Sequence, residues 1–179
     1  KIGACNATCF DINAACSGFI YALQTADAYI KAGMAKTILV IGAETLSKIV
    51  DWEDRSTCIL FADGAGAAVV TERENGIISS FTRSDGTKGM SLECQERLTR
   101  NILNQEPEEK HYVKMAGGDI FKFAVRTVPA CIDILLEQAN LTKDDITYFA
   151  LHQANERIIS SVAKKMKVPM DKFPMNIEH

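Results

Sequence analysis

The chain has one tryptophan and four prolines in 179 residues, and no apolar run nears the ~20 residues of a membrane-spanning helix. A membrane protein is therefore not expected. A basic excess is missing as well: 20 Lys and Arg stand against 23 Asp and Glu, a net charge of −3. Nucleic-acid binders carry a basic balance or stripe, so that class is not expected either. The six cysteines (Cys5, Cys9, Cys16, Cys58, Cys94, Cys131) form no Cys-x-x-Cys pair and have no histidine at metal spacing. That argues against a metal site; an even count could suggest disulfides, but no signal peptide is visible and a chain this long does not require staples, so a reducing, cytoplasmic setting is the expectation. Fixed-period repeats and low-complexity tracts are also missing.

What is present is ordinary globular material, 47% hydrophobic and 24% charged, enough for one substantial core. Residues 8–12 read as a short extended run. From Cys16, the residues Phe19, Ile20, Leu23, Ala26 and Ile30 recur at helical steps, and Gly33 supplies the stop. Residues 37–43 are a β-branched run of the kind buried in a parallel sheet. Residues 47–55 are polar and carry Trp52; 61–70 read as a tight glycine turn feeding a strand; 77–81 start another. Residues 83–114 are polar without clear period, an excursion from the core. Residues 119–141 predict a long amphipathic helix that Pro129 should kink or split. A strand at 145–151 and a helix from Glu156 to about Lys167 follow. This alternation predicts α/β layers around a mostly parallel sheet.

Cys16 lies in Asp11-Ile-Asn-Ala-Ala-Cys-Ser-Gly-Phe19, where a β pattern turns into a helical one. A free cysteine is ordinarily a small buried apolar side chain. In the first turn of a helix, however, a sulfur meets unpaired N–H groups and the positive end of the dipole, which favour the reactive thiolate. Ala14, Ala15, Ser17 and Gly18 leave room above it. His152 occupies a like position, past an apolar strand and before a helix, where open α/β sheets place ligands. His111, in the polar excursion, and His179, at the end, compete poorly.

Three stretches, Asp11–Phe19, Phe61-Ala-Asp-Gly-Ala-Gly-Ala67 and His152-Gln-Ala-Asn-Glu-Arg-Ile158, resemble signatures of β-ketoacyl-acyl-carrier-protein synthase III. This is the initiating condensing enzyme of bacterial fatty-acid synthesis, a thiolase-like family. The resemblance spans the whole chain in the family's order. It implies a layered α-β-α-β-α architecture with mostly parallel central sheets, incomplete here. Residues 1–75 would belong to the half carrying the nucleophile and 76–179 to the half carrying the histidine, in one compact unit.

The resemblance further implies that Cys16 accepts the acyl group of a short acyl-CoA and that His152 helps decarboxylate malonyl-acyl-carrier protein. It implies no metal or organic cofactor, and a homodimer. Arg55 matches an arginine that packs on the CoA adenine, and Asn155 an asparagine that bonds the pantetheine arm. Phe61 and Met115 fall where the family lines its acyl pocket and tunnel. Gln153, Arg157, Lys164 and Lys165 would meet the acidic carrier protein. Each has an ordinary alternative: an exposed arginine, a helix N-cap, core packing, a solvated helix face. Ala62 replaces a common glycine, and Gly118 a common CoA-contacting asparagine.

The chain opens on Lys1 and closes on a β-like stretch, which reads as a piece of a longer protein. The family's third catalytic residue, an asparagine in Gly-Asn-Thr-Ser, is expected just beyond His179, and a CoA-stacking tryptophan before Lys1. The 179 residues alone are thus expected to be inactive and to fold poorly. Plant-type polyketide synthases, hydroxymethylglutaryl-CoA synthase, a longer-primer relative of secondary metabolism and a non-catalytic dimerisation fragment are the competing readings.

Overall fold

The computed structural model describes residues 2–74, 76–94, 103 and 111–177. Packing divides the chain into two units: Lys1–Gly42 with Ala65–Ile77, and Ala43–Gly64 with Ile78–His179. Strands β1 (Thr37–Thr45) and β2 (Asp63–Thr71) pair in a two-stranded sheet.

In the first unit, helix α1 (Gly18–Lys31) follows a 3-10 turn at Ala15–Ser17. It ends as the apolar period predicts. Gly33 takes a φ of +71°, its N–H reaches the Ile30 carbonyl at 2.9 Å, and the Met34 N–H reaches Tyr29 at 2.9 Å. Those two bonds satisfy carbonyls that a helix end leaves orphaned. Ala26 of α1 and Val40 of β1 are buried. A Cβ built on Gly42 would stand 3.4 Å from the Phe19 ring and 4.0 Å from the Gly66 carbonyl. The aromatic of α1 thus lies against the strand at a distance that an added methyl would also tolerate. Leu39 and Ile41, flanking Val40, are exposed, so β1 is covered on one face rather than on both as its apolar run predicted.

The second unit is built on α3 (Gly117–Ala139) and α4 (Glu156–Met166). Phe149, Ile159, Val162, Ala163, Met166 and Phe173 form its core, with Val128 and Ile132 of α3 packed against them. Phe149 and Phe173 stack with ring centroids 5.2 Å apart. A four-residue helix α2 (Arg55–Cys58) is capped by Asp54, and the strands β3 (Leu92–Glu93) and β4 (Lys114–Met115) pair antiparallel, Leu92 opposite Met115. No helix among the described residues is long and apolar enough to cross a membrane.

Several expectations need correction. Pro129 does not split α3, which runs unbroken past it. Gly64 and Gly66 lie within β2 rather than in a turn before it. Residues 8–12, 77–81 and 145–151 are not strands, because a strand exists only through a neighbour's ladder and apolar composition alone does not supply one. The polar stretch 83–114 contributes a 3-10 helix, Gly86–Ser91, and both short strands, while 95–102 and 104–110 lie outside the described residues.

Residues 145–151 nonetheless have a companion. The Phe149 N–H donates to the Lys172 carbonyl at 2.8 Å. The Lys172 ammonium donates to the carbonyls of Ile146 at 2.8 Å, Lys143 at 3.3 Å and Asp144 at 3.4 Å. Three backbone acceptors on one cation fix the start of this segment.

Candidate active site

Cys16 belongs to the first unit, and the nine other candidate residues belong to the second. The turn bearing Cys16 is built from its neighbours' backbone. Ala14 has φ −140° and ψ 31°, outside both the helical and the extended regions, and Ala15 adopts a left-handed φ of +46°. That conformation costs an L-residue with a Cβ about 1–2 kcal/mol. It is held by the Asn13 side chain, whose Oδ1 accepts the Ala15 N–H at 3.2 Å, and by the Ser17 N–H on the Ala14 carbonyl at 3.0 Å. Cys16 is exposed and unbridged, so the reading of it as a buried core residue does not apply. A left-handed alanine held beside an exposed thiol is backbone strain of the sort that collects at reactive positions. The sequence signal for it was Asn13, whose short amide favours such turns.

His152 follows residues 145–151 and precedes the N-cap of α4. It reaches solvent, yet the chain packed around its base removes enough water to lower its pKa below the ordinary 6.5. Burial disfavours the charged imidazolium, so the neutral ring is the favoured form.

Gln153 behaves differently from a surface contact. Its Nε2 donates to the Leu151 carbonyl at 2.9 Å and to the Pro174 carbonyl at 3.2 Å, while its Oε1 accepts the Asn176 N–H at 3.1 Å. Asn155 is the N-cap of α4, its Oδ1 accepting the Arg157 N–H at 2.8 Å. That matches the ordinary structural alternative for this residue and leaves its amide NH₂ to donate elsewhere.

Arg157, Lys164 and Lys165 are exposed on α4, opposite the buried Ile159, Val162, Ala163 and Met166. Arg157 and Lys164 are two turns apart and share a face. Arg55 opens α2 and is exposed. Helix α2 packs against β4, which carries the half-buried Met115. A Cβ on Gly117 would meet the Met115 Cε at 3.7 Å, an ordinary van der Waals contact, so this methyl does not require a glycine there. Phe61 is half-buried two residues before β2. The structure therefore brings the elements of Arg55 and Met115 together, and joins His152, Gln153, Asn155 and Arg157 in one short segment. Among the described residues, no group of three or more His, Cys, Asp or Glu is placed to hold a metal.

Residues 10–86 match the family model described as 3-oxoacyl-[acyl-carrier-protein (ACP)] synthase III, and residues 136–179 match the model of its C-terminal part. The beta-ketoacyl-[acyl-carrier-protein] synthase III of Clostridium novyi (strain NT) is 52% identical over 178 residues, which are 98% of this chain and 55% of that protein. Among solved structures, the synthase III of Thermus thermophilus superposes at a TM-score of 0.85 with 40% identity, over 95% of this chain and 53% of the other. The priming beta-ketosynthase of the R1128 polyketide pathway superposes at 0.81 with 34% identity, over 98% and 52%. The chain thus spans about half the length of these relatives. Two family models cover most of it between them, and the thiolase-like α/β fold is shared with solved members. The chain belongs to the 3-oxoacyl-[acyl-carrier-protein] synthase III family.

Proposed function

We propose that the protein containing this chain condenses a short acyl-CoA, acetyl-CoA first, with malonyl-acyl-carrier protein, releasing CO₂ and giving a 3-ketoacyl-carrier protein. The observation that carries the reading is the exposed Cys16 on its left-handed turn, in a chain 52% identical to a beta-ketoacyl synthase III. In the first step the Cys16 thiolate attacks the thioester carbonyl, CoA thiolate leaves, and an acyl-enzyme forms. In the second, the C–C bond to the malonyl carboxylate breaks and CO₂ departs. The electron pair passes to the thioester enolate, whose oxygen takes a hydrogen bond from the neutral His152. The enolate carbon attacks the acyl carbonyl and Cys16 leaves as thiolate, which closes the cycle. No metal or organic cofactor enters these steps.

Arg55 and Asn155 would contact CoA, Phe61 and Met115 would line the acyl pocket, and the basic side of α4 would meet the acidic carrier. A homodimer in the cytoplasm completes the proposal, with residues 1–75 as part of the thiolase-like half that carries Cys16 and residues 76–179 as part of the half that carries His152. The 179 residues alone are expected to lack condensing activity. Likeness to a priming polyketide ketosynthase favours one second reading, a longer primer in secondary metabolism.

The test is acylation of the full gene product by radiolabelled acetyl-CoA. One label per subunit, absent in Cys16→Ala, supports the enzyme. A label that persists in Cys16→Ala removes Cys16 from its role.

A further inference from the structure

The Gln153 amide uses both of its N–H groups and its oxygen inside the molecule. Its bond to Leu151 closes a loop around the His152 backbone. Its bonds to Pro174 and Asn176 tie that loop to the segment after the 3-10 helix Met170–Lys172. The partners advance together: Phe149 meets Lys172, and four residues on Gln153 meets Asn176. Two segments running side by side in the same sense would show this order. A side-chain amide is a peptide group in miniature, so Gln153 donates and accepts where a ladder residue would.

We infer that Gln153 is a positioning residue: it fixes the imidazole of His152 for the decarboxylation step and takes no part in docking the carrier protein. The inference rests on the synthase III reading above. A side chain whose amide nitrogen and oxygen are both engaged within 3.2 Å has little left to offer a partner. Releasing it would let the His152 backbone shift, and a catalytic group displaced by about 1 Å can cost on the order of a hundredfold in rate.

The test uses the full gene product with Gln153→Ala and Gln153→Glu. Turnover of malonyl-carrier protein is measured with kcat and KM resolved, beside the rate of Cys16 acylation from acetyl-CoA. Gln153→Ala should lower kcat about tenfold or more, lower it more than the acylation rate, and keep KM for the carrier within about twofold. In Gln153→Glu the carboxylate still accepts the Asn176 N–H but donates nothing. Protonation returns one donor, so its kcat relative to the unmodified protein should rise from about pH 7 toward about pH 5. By NMR, Gln153→Ala should speed exchange of the Asn176 N–H and shift the His152 ring signals.

A raised KM with kcat kept would make Gln153 a docking residue and overturn the inference. Unchanged Asn176 exchange and unchanged His152 signals would do the same. If the unmodified protein neither acylates Cys16 nor decarboxylates the malonyl thioester, the functional reading fails and the positioning role in catalysis goes with it. The exchange measurement would then still decide whether the bracket itself exists.

Discussion

Asp63 accepts two hydrogen bonds from Ser47, from its N–H at 2.8 Å and from its hydroxyl at 2.6 Å. The first residue of β2 is thereby tied to the 3-10 turn Leu46–Lys48 that follows β1. Both bonds favour the ionised carboxyl and hold it below its ordinary 3.8, the hydroxyl contributing most. An unfolded chain, with its ordinary value, takes up the proton first as pH falls. The stabilisation is therefore complete above about 3.8 and is lost as pH falls through the lower folded value. Asp54, Asp85 and Asp145, each bonded to a nearby Ser or Thr, add effects of the same sign. Asp63→Asn should lower the urea midpoint at neutral pH, and the gap to the unmodified protein should close below pH 3.8. A gap independent of pH would mean that the charge contributes nothing.

Ala15 offers a second test, because its φ of +46° suits glycine. Ala15→Gly relieves the strain but frees the unfolded chain, so stability should change by less than about 1 kcal/mol. Ala15→Val should cost about 1–3 kcal/mol, since a β-branched residue resists that backbone most. Thermal unfolding reads the stability, and iodoacetamide labelling reads the turn: Cys16 should react at a changed rate in the valine variant. An unchanged rate would show that the turn does not set the presentation of the sulfur.

The parts of the fold that were legible in the sequence are those fixed by local chemistry. The period from Phe19 to Ile30 and the stop at Gly33 define α1 because one helix face and one left-handed residue are properties of a few neighbours. The same holds for α4, with Asn155 at its start and Lys167 left-handed before Pro169 at its end. The strands expected at 77–81 and 145–151 did not form, since a ladder needs a partner that local pattern does not name. Cys16 and His152 stood out by position between β and helical patterns. The bonds of Gln153 to Pro174 and Asn176 were not legible: a glutamine beside a histidine looks the same in sequence whether it faces a partner or Pro174. Only coordinates distinguish the two.

His152 gives a pH signature of its own. Its folded pKa is lowered by loss of water around the ring, so between that value and the ordinary 6.5 the unfolded chain binds more protons than the folded one. Stability should therefore rise with pH through that window and level off above 6.5. The direct check is NMR titration of the His152 Cε1–H, whose midpoint should lie below 6.5. A midpoint at or above 6.5 would point to a charged ring in the folded protein and to a different proton inventory for decarboxylation.

Arg157 is the cleanest probe of the proposed carrier dock. Its backbone N–H is the one capped by Asn155, so replacing its side chain leaves the cap intact. It lies in the first turn of α4, where a negative charge suits the helix dipole, so Arg157→Glu should not weaken the helix. Lys164 and Lys165 lie in the last turn, where reversal would oppose the dipole and confuse docking with folding. In the full gene product, Arg157→Glu should raise KM for malonyl-carrier protein about tenfold, or ~1.4 kcal/mol. The deficit should shrink as salt shortens the Debye length below about 10 Å. Transfer from acetyl-CoA to Cys16 involves no carrier protein and should be spared. Equal losses in both reactions, or a deficit indifferent to salt, would assign this helix face to solvent rather than to a partner.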